Sequence, residues 1–353
     1  MPSRMTVVFV SPLFATASLI FWLWLVFVPA SMADICPEGT DCKEVNFFVL
    51  HNVPYISTRV TDNRYVKSFR KFITVLERDS FVSMTELVIL TVHKCELRTI
   101  KLGAFNGLTK LQRLPIESNE ISEIKPGTFQ NLNSLKILEL IMNRLEHLEC
   151  GVFSGLVKLK IINLAGNKIQ YLHPDTFSGL VNLNVVYLGA NKLQYLHADT
   201  FLGLPKLREI NVRLNRGLRI PTDRNFINAP SLSSLDISFC NISSLSVETF
   251  ANVSALERLG LSGNNLKTVD INILRALPKL SRLSLYGNPL QCDCQLQEVW
   301  RLWQDRNNDT VFVVCDTPSE VKGLGWWVLE KGECVDGIIQ YYGDYKTEKM
   351  PLY

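Results

Sequence analysis

The chain has 353 residues, 47% hydrophobic and 20% charged, a balance that excludes an intrinsically disordered protein and fits one or two ordinary domains or one long repeat array. Lysine and arginine total 37 against 34 acids; the first 33 residues hold one arginine and no acid, so without them the balance is 36 to 34, or +2. A charge so near zero, with no basic run, argues against nucleic acid as a partner.

Met1–Ala33 reads as a signal peptide. A short n-region, Met1–Arg4, precedes an apolar run from Val7 to Val28, and Ser31-Met32-Ala33 supplies small residues for cleavage after Ala33. The run is long enough that an uncleaved signal anchor stands as the alternative, although Ser11, Pro12 and Ser18 interrupt it. No later stretch approaches the ~20 apolar residues of a spanning helix, so the expectation is a secreted, extracellular chain with no membrane span after cleavage.

From residue 63 to residue 290 the chain is a repeat. Leu111-Gln-Arg-Leu114-Pro-Ile116-Glu-Ser-Asn119-Glu-Ile121 sets the pattern, and Leu135 to Leu145 repeats it. Leading leucines fall at Leu87, Leu111, Leu135, Leu159, Leu183, Leu207, Leu232, Leu256 and Leu280, stepping by 24 except for one step of 25 after Leu207. A tenth, degenerate unit precedes them: Asn63 replaces its leading leucine, while Val66, Ile73, Leu76 and Phe81 keep phase.

Each position has a physical task. Counting the leading leucine as position 1, positions 4 and 6 point inward along a strand and positions 3, 5 and 7 outward. Position 9 is Asn119, Asn143, Asn167, Asn191, Asn215, Asn264 and Asn288, whose buried amides can bond the backbone of adjoining turns. Position 19 is Phe81, Phe105, Phe129, Phe153, Phe177, Phe201 and Phe250, with Phe226 in the longer unit, which predicts a phenylalanine spine behind the sheet. The predicted fold is an α/β solenoid with a parallel sheet on one face and short helical or irregular segments behind.

The last repeat runs Asn288-Pro-Leu-Gln-Cys292-Asp-Cys294, followed by Trp300, Trp303, Cys315, Pro318, Gly323 and Cys334. This resembles the C-terminal cysteine-rich cap of extracellular leucine-rich-repeat proteins, a group that includes Toll ectodomains, connectin-like adhesion proteins and insect secreted leucine-rich immune proteins. The resemblance covers residues 36–334. It implies a leucine-rich-repeat horseshoe with a concave sheet, a C-terminal cap over 291–334 with Cys292–Cys315 and Cys294–Cys334 bridges, and a tail over 335–353. At the other end Cys36-Pro37 and Cys42 resemble a reduced N-terminal cap over 34–62, with a small Cys36–Cys42 loop. Cysteines in caps fit an oxidising compartment.

Three cysteines remain. Cys95 and Cys240 occupy the asparagine position and read as buried thiols. Cys150 replaces the proline of sibling repeats (Pro126, Pro174) and reads either as an intermolecular bridge, giving a disulfide-linked dimer, or as a half-buried free thiol. Glu149, His173 and His197 share position 15 on successive turns, but the two histidines lie in a duplicated repeat, and no metal is assigned. Sequons at Asn241, Asn252 and Asn308 are candidate glycan acceptors. In the tail, Tyr341-Tyr342-Gly-Asp344-Tyr345 reads as a ragged terminus, with tyrosine sulfation as the alternative. No GxSxG, HExxH, phosphate loop or CxxC pair is present, so neither a catalytic site nor a cofactor is assigned.

The outward strand positions form the default interaction surface. Its middle presents Ile137, Ile141, Ile161, Val185 and Tyr187, with Arg113, Glu117 and Glu139 on one side and Glu209, Arg213 and Asp236 on the other. An apolar centre with a charged rim is how a protein interface is built. Pro115, at position 5, removes a ladder donor and should disturb the sheet there. The expected function is a secreted binding protein that recognises an extracellular protein or glycoconjugate, as in innate immunity, with partner contacts at Ile137, Ile141, Ile161, Val185, Tyr187 and Arg213. The alternative is a cell-surface adhesion or guidance protein, disfavoured because no C-terminal span or lipid-anchor tail is seen.

Overall fold

A computed structural model describes residues 47–51, 73–306, 313–335 and 338–341, all within the unit Val45–Tyr353. The expected signal peptide, Cys36, Cys42, Val66 and Asn308 lie outside the described residues. Among the described residues no helix is long and apolar enough to cross a membrane.

Apolar side chains recurring every second residue over a short stretch make a strand, and a 24-residue return brings the next one alongside. Ten such strands form one parallel sheet in chain order: β1 (Phe47–His51), β2 (Ile89–His93), β3 (Arg113–Glu117), β4 (Ile137–Glu139), β5 (Ile161–Asn163), β6 (Val185–Tyr187), β7 (Glu209–Asn211), β8 (Ser234–Asp236), β9 (Arg258–Gly260) and β10 (Arg282–Ser284). Equivalent positions face each other, so Ile137 lies opposite Ile161, Ile161 opposite Val185 and Val185 opposite Glu209. The chain returns behind the sheet through short segments such as the 3-10 turns Pro174–Phe177 and Ala198–Phe201 and the helix α1 (Ile271–Ala276). The architecture is a leucine-rich-repeat solenoid.

The core is shared between turns, which is what makes a stack of 24-residue units stable when one alone is not. Inward residues such as Leu114, Ile116, Leu138, Leu140, Ile162 and Leu164 are fully buried. Behind them Phe81, Phe105, Phe129, Phe153, Phe177 and Phe201 stack ring on ring, with centroids 5.6–6.2 Å apart and planes within 18°. Phe226 and Phe250 are buried too, but the longer turn places them outside this run of stacked rings.

The buried asparagines join turn to turn. Asn167 Oδ1 accepts from the Leu145 amide (3.1 Å), while its Nδ2 donates to Leu140 O in the preceding turn (2.9 Å) and to Leu164 O in its own (2.9 Å). Where cysteine replaces asparagine the ladder adjusts. The Cys240 thiol donates to Val212 O (3.4 Å) and Ser238 O (3.5 Å), and the Cys95 thiol to His93 O (3.4 Å). The residues that follow, Glu96 and Asn241, turn to positive φ (57° and 62°). The asparagine of the next turn then accepts two amides: Asn119 from Cys95 and Leu97, and Asn264 from Cys240 and Ile242.

Pro115 stays inside β3 and is buried there. The pairing of β3 with β2 runs Ile89–Arg113, then resumes at Val92–Ile116, so the ladder skips the proline, which has no amide to donate.

Both ends differ from the expected boundaries. β1 lies within the segment expected to form a cap (34–62), yet it takes the sheet place next to β2. Phe47 faces Ile89, 42 positions later, where other neighbours are a repeat apart. Its sequence, Phe-Phe-Val-Leu-His, has strong strand propensity but belongs to no repeat. Ile73, Leu76 and Phe81 of the degenerate unit are buried in the common core.

At the far end, β11 (Leu290–Gln291) pairs with β12 (Cys315–Thr317), and the helix α2 (Cys294–Arg306) starts with Asp293 capping the Leu296 amide at 3.0 Å. Disulfides join Cys292 to Cys315 and Cys294 to Cys334. Buried Gln297 donates to Leu329 O (2.7 Å) and Gly332 O (2.6 Å), tying α2 to the segment behind it. The tail expected from residue 335 onward is not wholly outside the fold. β13 (Gly332–Val335) and β14 (Ile338–Tyr341) form an antiparallel pair, and the Tyr341 hydroxyl donates to Cys292 O at 2.8 Å.

Candidate binding face

The open face of the sheet is built from three rows, because positions 3, 5 and 7 of successive turns line up. The first row runs Arg113, Ile137, Ile161, Val185, Glu209, Ser234, Arg258 and Arg282. Three adjacent β-branched side chains thus sit side by side at its centre. They are half-buried rather than fully outward, because strands about 4.8 Å apart let each cover the next. Ile141 and Tyr187 are half-buried as well.

Tyr187 stands between Asn163 and Asn211 in the second row. Burial, and then the adjacent Glu209 carboxylate that accepts its hydroxyl proton, push its ionisation well above the ordinary tyrosine value. The ring stays neutral and is held in one orientation. On the N-terminal side, Arg113 and Glu139 form a close pair, with Nη2 and Nε both within 2.9 Å of one carboxylate oxygen. Glu117, beside them, has its pKa raised by burial and then by Glu139, with Arg113 opposing.

Arg213 reaches across two turns. Its Cγ lies where a side chain at Gly189 would be, 3.2 Å from that position, and its guanidinium sits 5.6 Å from the centre of the Phe239 ring. Phe239 in turn lies flat over Gly263, whose missing Cβ would fall 2.3 Å from the ring. Phe239 and Met142 each lie three residues past a strand end at positive φ (58° and 54°), and Met142 packs over Gly166 in the same way. These are cross-turn fits that a single repeat does not announce.

The structure does not gather Glu149, His173 and His197 into one cluster. His173 and His197 instead cap the two 3-10 turns, each ring Nδ1 accepting the amide two residues on, from Asp175 (3.1 Å) and Asp199 (3.2 Å). Cys150 is exposed, and its sulfur, a His173 nitrogen and an Asp175 oxygen lie within 4.8 Å of one another. Sequence spacing missed this grouping because the ligands come from different positions of adjacent turns. Coordination through His173 Nδ1 would displace the cap bond. Cys95 and Cys240 are buried, and burial pushes the Cys240 thiol up to about 12, while bonds from the Asn215 and Leu214 backbone act the other way. Asn241 and Asn252 are exposed, and their amides bond Asn265 and Asn228 of neighbouring turns.

A repeat of this length with an inward leucine set, a buried asparagine ladder and a disulfide-bonded C-terminal cap defines a leucine-rich-repeat protein. The sequence pattern of the Leucine rich repeat family matches residues 109–169, 158–216 and 230–290, and the chain is a leucine-rich-repeat protein. Among solved structures it is similar to the glycosylated Toll–Spatzle complex of Drosophila (21% identity over 67% of this chain and 32% of that one, TM-score 0.56). It is also similar to the APL1 leucine-rich repeat domain (22% identity over 64% of this chain and 62% of that one, TM-score 0.51). The chain spans less than two thirds of either, and at this identity the likeness concerns the fold. No curated protein matches the chain.

Proposed function

We propose that this protein is a secreted, non-enzymatic binding protein that recognises another extracellular protein through the open face of its sheet, in an innate-immune setting. One observation carries the reading: Ile137, Ile161 and Val185 lie side by side in register, next to Tyr187, with the Arg113–Glu139 pair on one flank and Glu209 and Arg213 on the other. An apolar centre with a polar rim is the composition of a protein interface. An aromatic held in one orientation at its middle is the usual anchor.

Secretion rests on the N-terminal segment and on the paired cysteines of the cap, since disulfides persist in oxidising compartments. The immune setting rests on the resemblance of repeats and cap to secreted immune proteins; the Toll–Spatzle structure is described as a hub in development and innate immunity. Asn241, Asn252 and Asn308 are the proposed glycan sites, and a glycan at exposed Asn252, behind the sheet, leaves the open face clear. Net charge argues against nucleic acid only for the chain as a whole; two arginines near the C-terminal end of the sheet make a local exception.

The test is partner capture from extracellular fluid by the tagged secreted protein, comparing Tyr187→Ala combined with Ile161→Ser against the outlying control Glu257→Ala. Loss of capture by the first pair alone, with normal secretion and melting, supports the face. Equal capture by all three moves the site elsewhere. Recovery of the protein only on membranes after a salt wash favours the adhesion reading.

A further inference from the structure

Several arginines of this solenoid have an acid beside them. Arg113 pairs with Glu139, and Arg98 and Arg144 share Glu120. Arg258 and Arg282 differ. They face each other on adjacent strands β9 and β10, both exposed, and neither side chain makes an ion pair or hydrogen bond among the described residues. Like charges directly opposite on a sheet are destabilising unless something between them is negative.

The ground around them is hollow. Gly260, two residues after Arg258 on β9, has no side chain of its own, and the Asp236 and Ser238 side chains lean over it: a Cβ there would meet Asp236 Oδ1 at 2.5 Å. The result is an open depression of about 420 Å³, with Ser234 and Ser284 on its sides and Leu259, Leu283 and Trp303 behind. Asp236 also lines it, but its carboxylate is already engaged: Oδ2 accepts from Asn211 (3.2 Å) and Oδ1 from the Ser238 amide (3.0 Å). Apolar backing lowers the local dielectric and strengthens a charged hydrogen bond made there.

We propose that Arg258 and Arg282 form a subsite for an acidic side chain, aspartate or glutamate, of the protein partner. This rests on the open-face reading above. Two guanidinium forks offer a carboxylate paired donors in the geometry it accepts best. With two positive charges and one negative, the depression has a net charge of +1, which one carboxylate neutralises, whereas a polyanion would bring surplus negative charge beside Asp236. The hollow is open on one side, so it admits a partner's side chain and does not close around a small molecule. The subsite is three strands from Val185, roughly 14 Å at the usual strand spacing, so one ordinary interface covers both. The partner should therefore present an apolar anchor with an acid about that far to one side.

The experiment follows the arginine side-chain Nε–H resonances of the full secreted protein by NMR during titration with a short peptide bearing two glutamates, its glutamine counterpart, a heparin hexasaccharide and a single-stranded RNA. The expected result is saturable movement of the Arg258 and Arg282 signals with the glutamate peptide only, with exposed Arg219 as an unmoved reference. Affinity for that peptide should fall about tenfold or more in the double variant Arg258→Gln, Arg282→Gln. The proposal is overturned if the two signals move no more than Arg219, if the glutamine peptide does equally well, or if heparin or RNA saturates them at a lower concentration than the peptide. Partner capture that depends on Tyr187 while the peptide leaves both arginines unmoved would reject the subsite and keep the face; the reverse pattern would reject the face.

Discussion

The hydroxyl of Tyr187 donates to the carboxylate of Glu209, one strand further along the sheet. The phenol therefore stays protonated in the folded protein at a pH where an unfolded tyrosine, with its ordinary value of 10.0, has begun to ionise. The folded state then holds more protons than the unfolded state, and stability falls as pH rises above 10. Denaturant melts at pH 9 and pH 11 should show a smaller loss for Tyr187→Phe than for wild type. Equal losses would mean that the bond to Glu209 does not form in solution.

Glu117 is a carboxylate with its pKa raised, chiefly by burial and then by Glu139. The unfolded chain ionises it first, so its effect is a stability loss as pH climbs through its folded value. Glu117→Gln removes the charge and keeps the shape. The variant should be more stable than wild type at pH 7, and the advantage should shrink below the ordinary 4.5, where both states are protonated. A variant that is less stable at pH 7 would show that the contact of Glu117 with His93, 3.9 Å away, outweighs the burial.

Inward and outward residues of one strand should separate cleanly. Leu164 is fully buried, and Leu164→Ala should cost about 2–5 kcal/mol. Asn167→Ala leaves the Leu145 amide without its acceptor, at about 1–3 kcal/mol for the buried group left unpaired; Leu140 O and Leu164 O each lose one donor but still accept from Asn143 and Asn191. Half-buried Ile161→Ser should cost less than either. Urea midpoints at constant slope rank the three, and a ranking with Ile161→Ser worst would place that side chain in the core.

The two cap disulfides should open in order. Cys292 and Cys315 are buried, whereas Cys334 is exposed and Cys294 half-buried. Mild reductant should break Cys294–Cys334 first, and breaking the second bond should bring the larger loss, within the ~2–5 kcal/mol usual for a native disulfide. Peptide mapping after timed alkylation reads the order directly; simultaneous opening would contradict it.

Cys150 is exposed, and the Cys240 thiol is buried and hard to ionise. A thiol reagent should label Cys150 quickly in the native protein and reach Cys95 and Cys240 only on unfolding. If Cys150 bridges two chains, the purified protein runs at twice its size on a non-reducing gel and Cys150→Ser returns it to monomer. A wild-type monomer with Cys150 alkylated disposes of the bridge.

What the sequence disclosed was whatever recurs. The leading leucines, the asparagine ladder from Asn119 to Asn288 and the stacked phenylalanines are visible because the same physical demand returns in each turn, and the open-face rows follow from strand alternation. What it hid are arrangements that occur once. β1 carries no repeat phase, and β14 lies beyond the last cysteine. The Arg213–Phe239–Gly263 stack joins different positions of different turns, so no spacing rule points to it. The exposure of Ile137 and Val185 was overstated because a neighbouring strand screens each one, which a single-strand alternation rule does not count.

The asparagine ladder also has a direction. Each amide reaches backward: Asn143 to Ile116 O, Asn167 to Leu140 O, Asn191 to Leu164 O and Asn215 to Leu188 O. Backbone bonds run both ways between turns, as from the Leu140 amide to Asn163 O, but the ladder's side chains reach only their own turn and the one before it, so each turn gets its last side-chain bond from its successor. During synthesis the newest turn has its own asparagine's bond but lacks the second one until the next 24 residues emerge, so the growing stack always carries one unfinished face at its leading edge. The disulfide cap is the piece that ends this wait, and a chain stalled before Cys292 would leave its last turn unsealed.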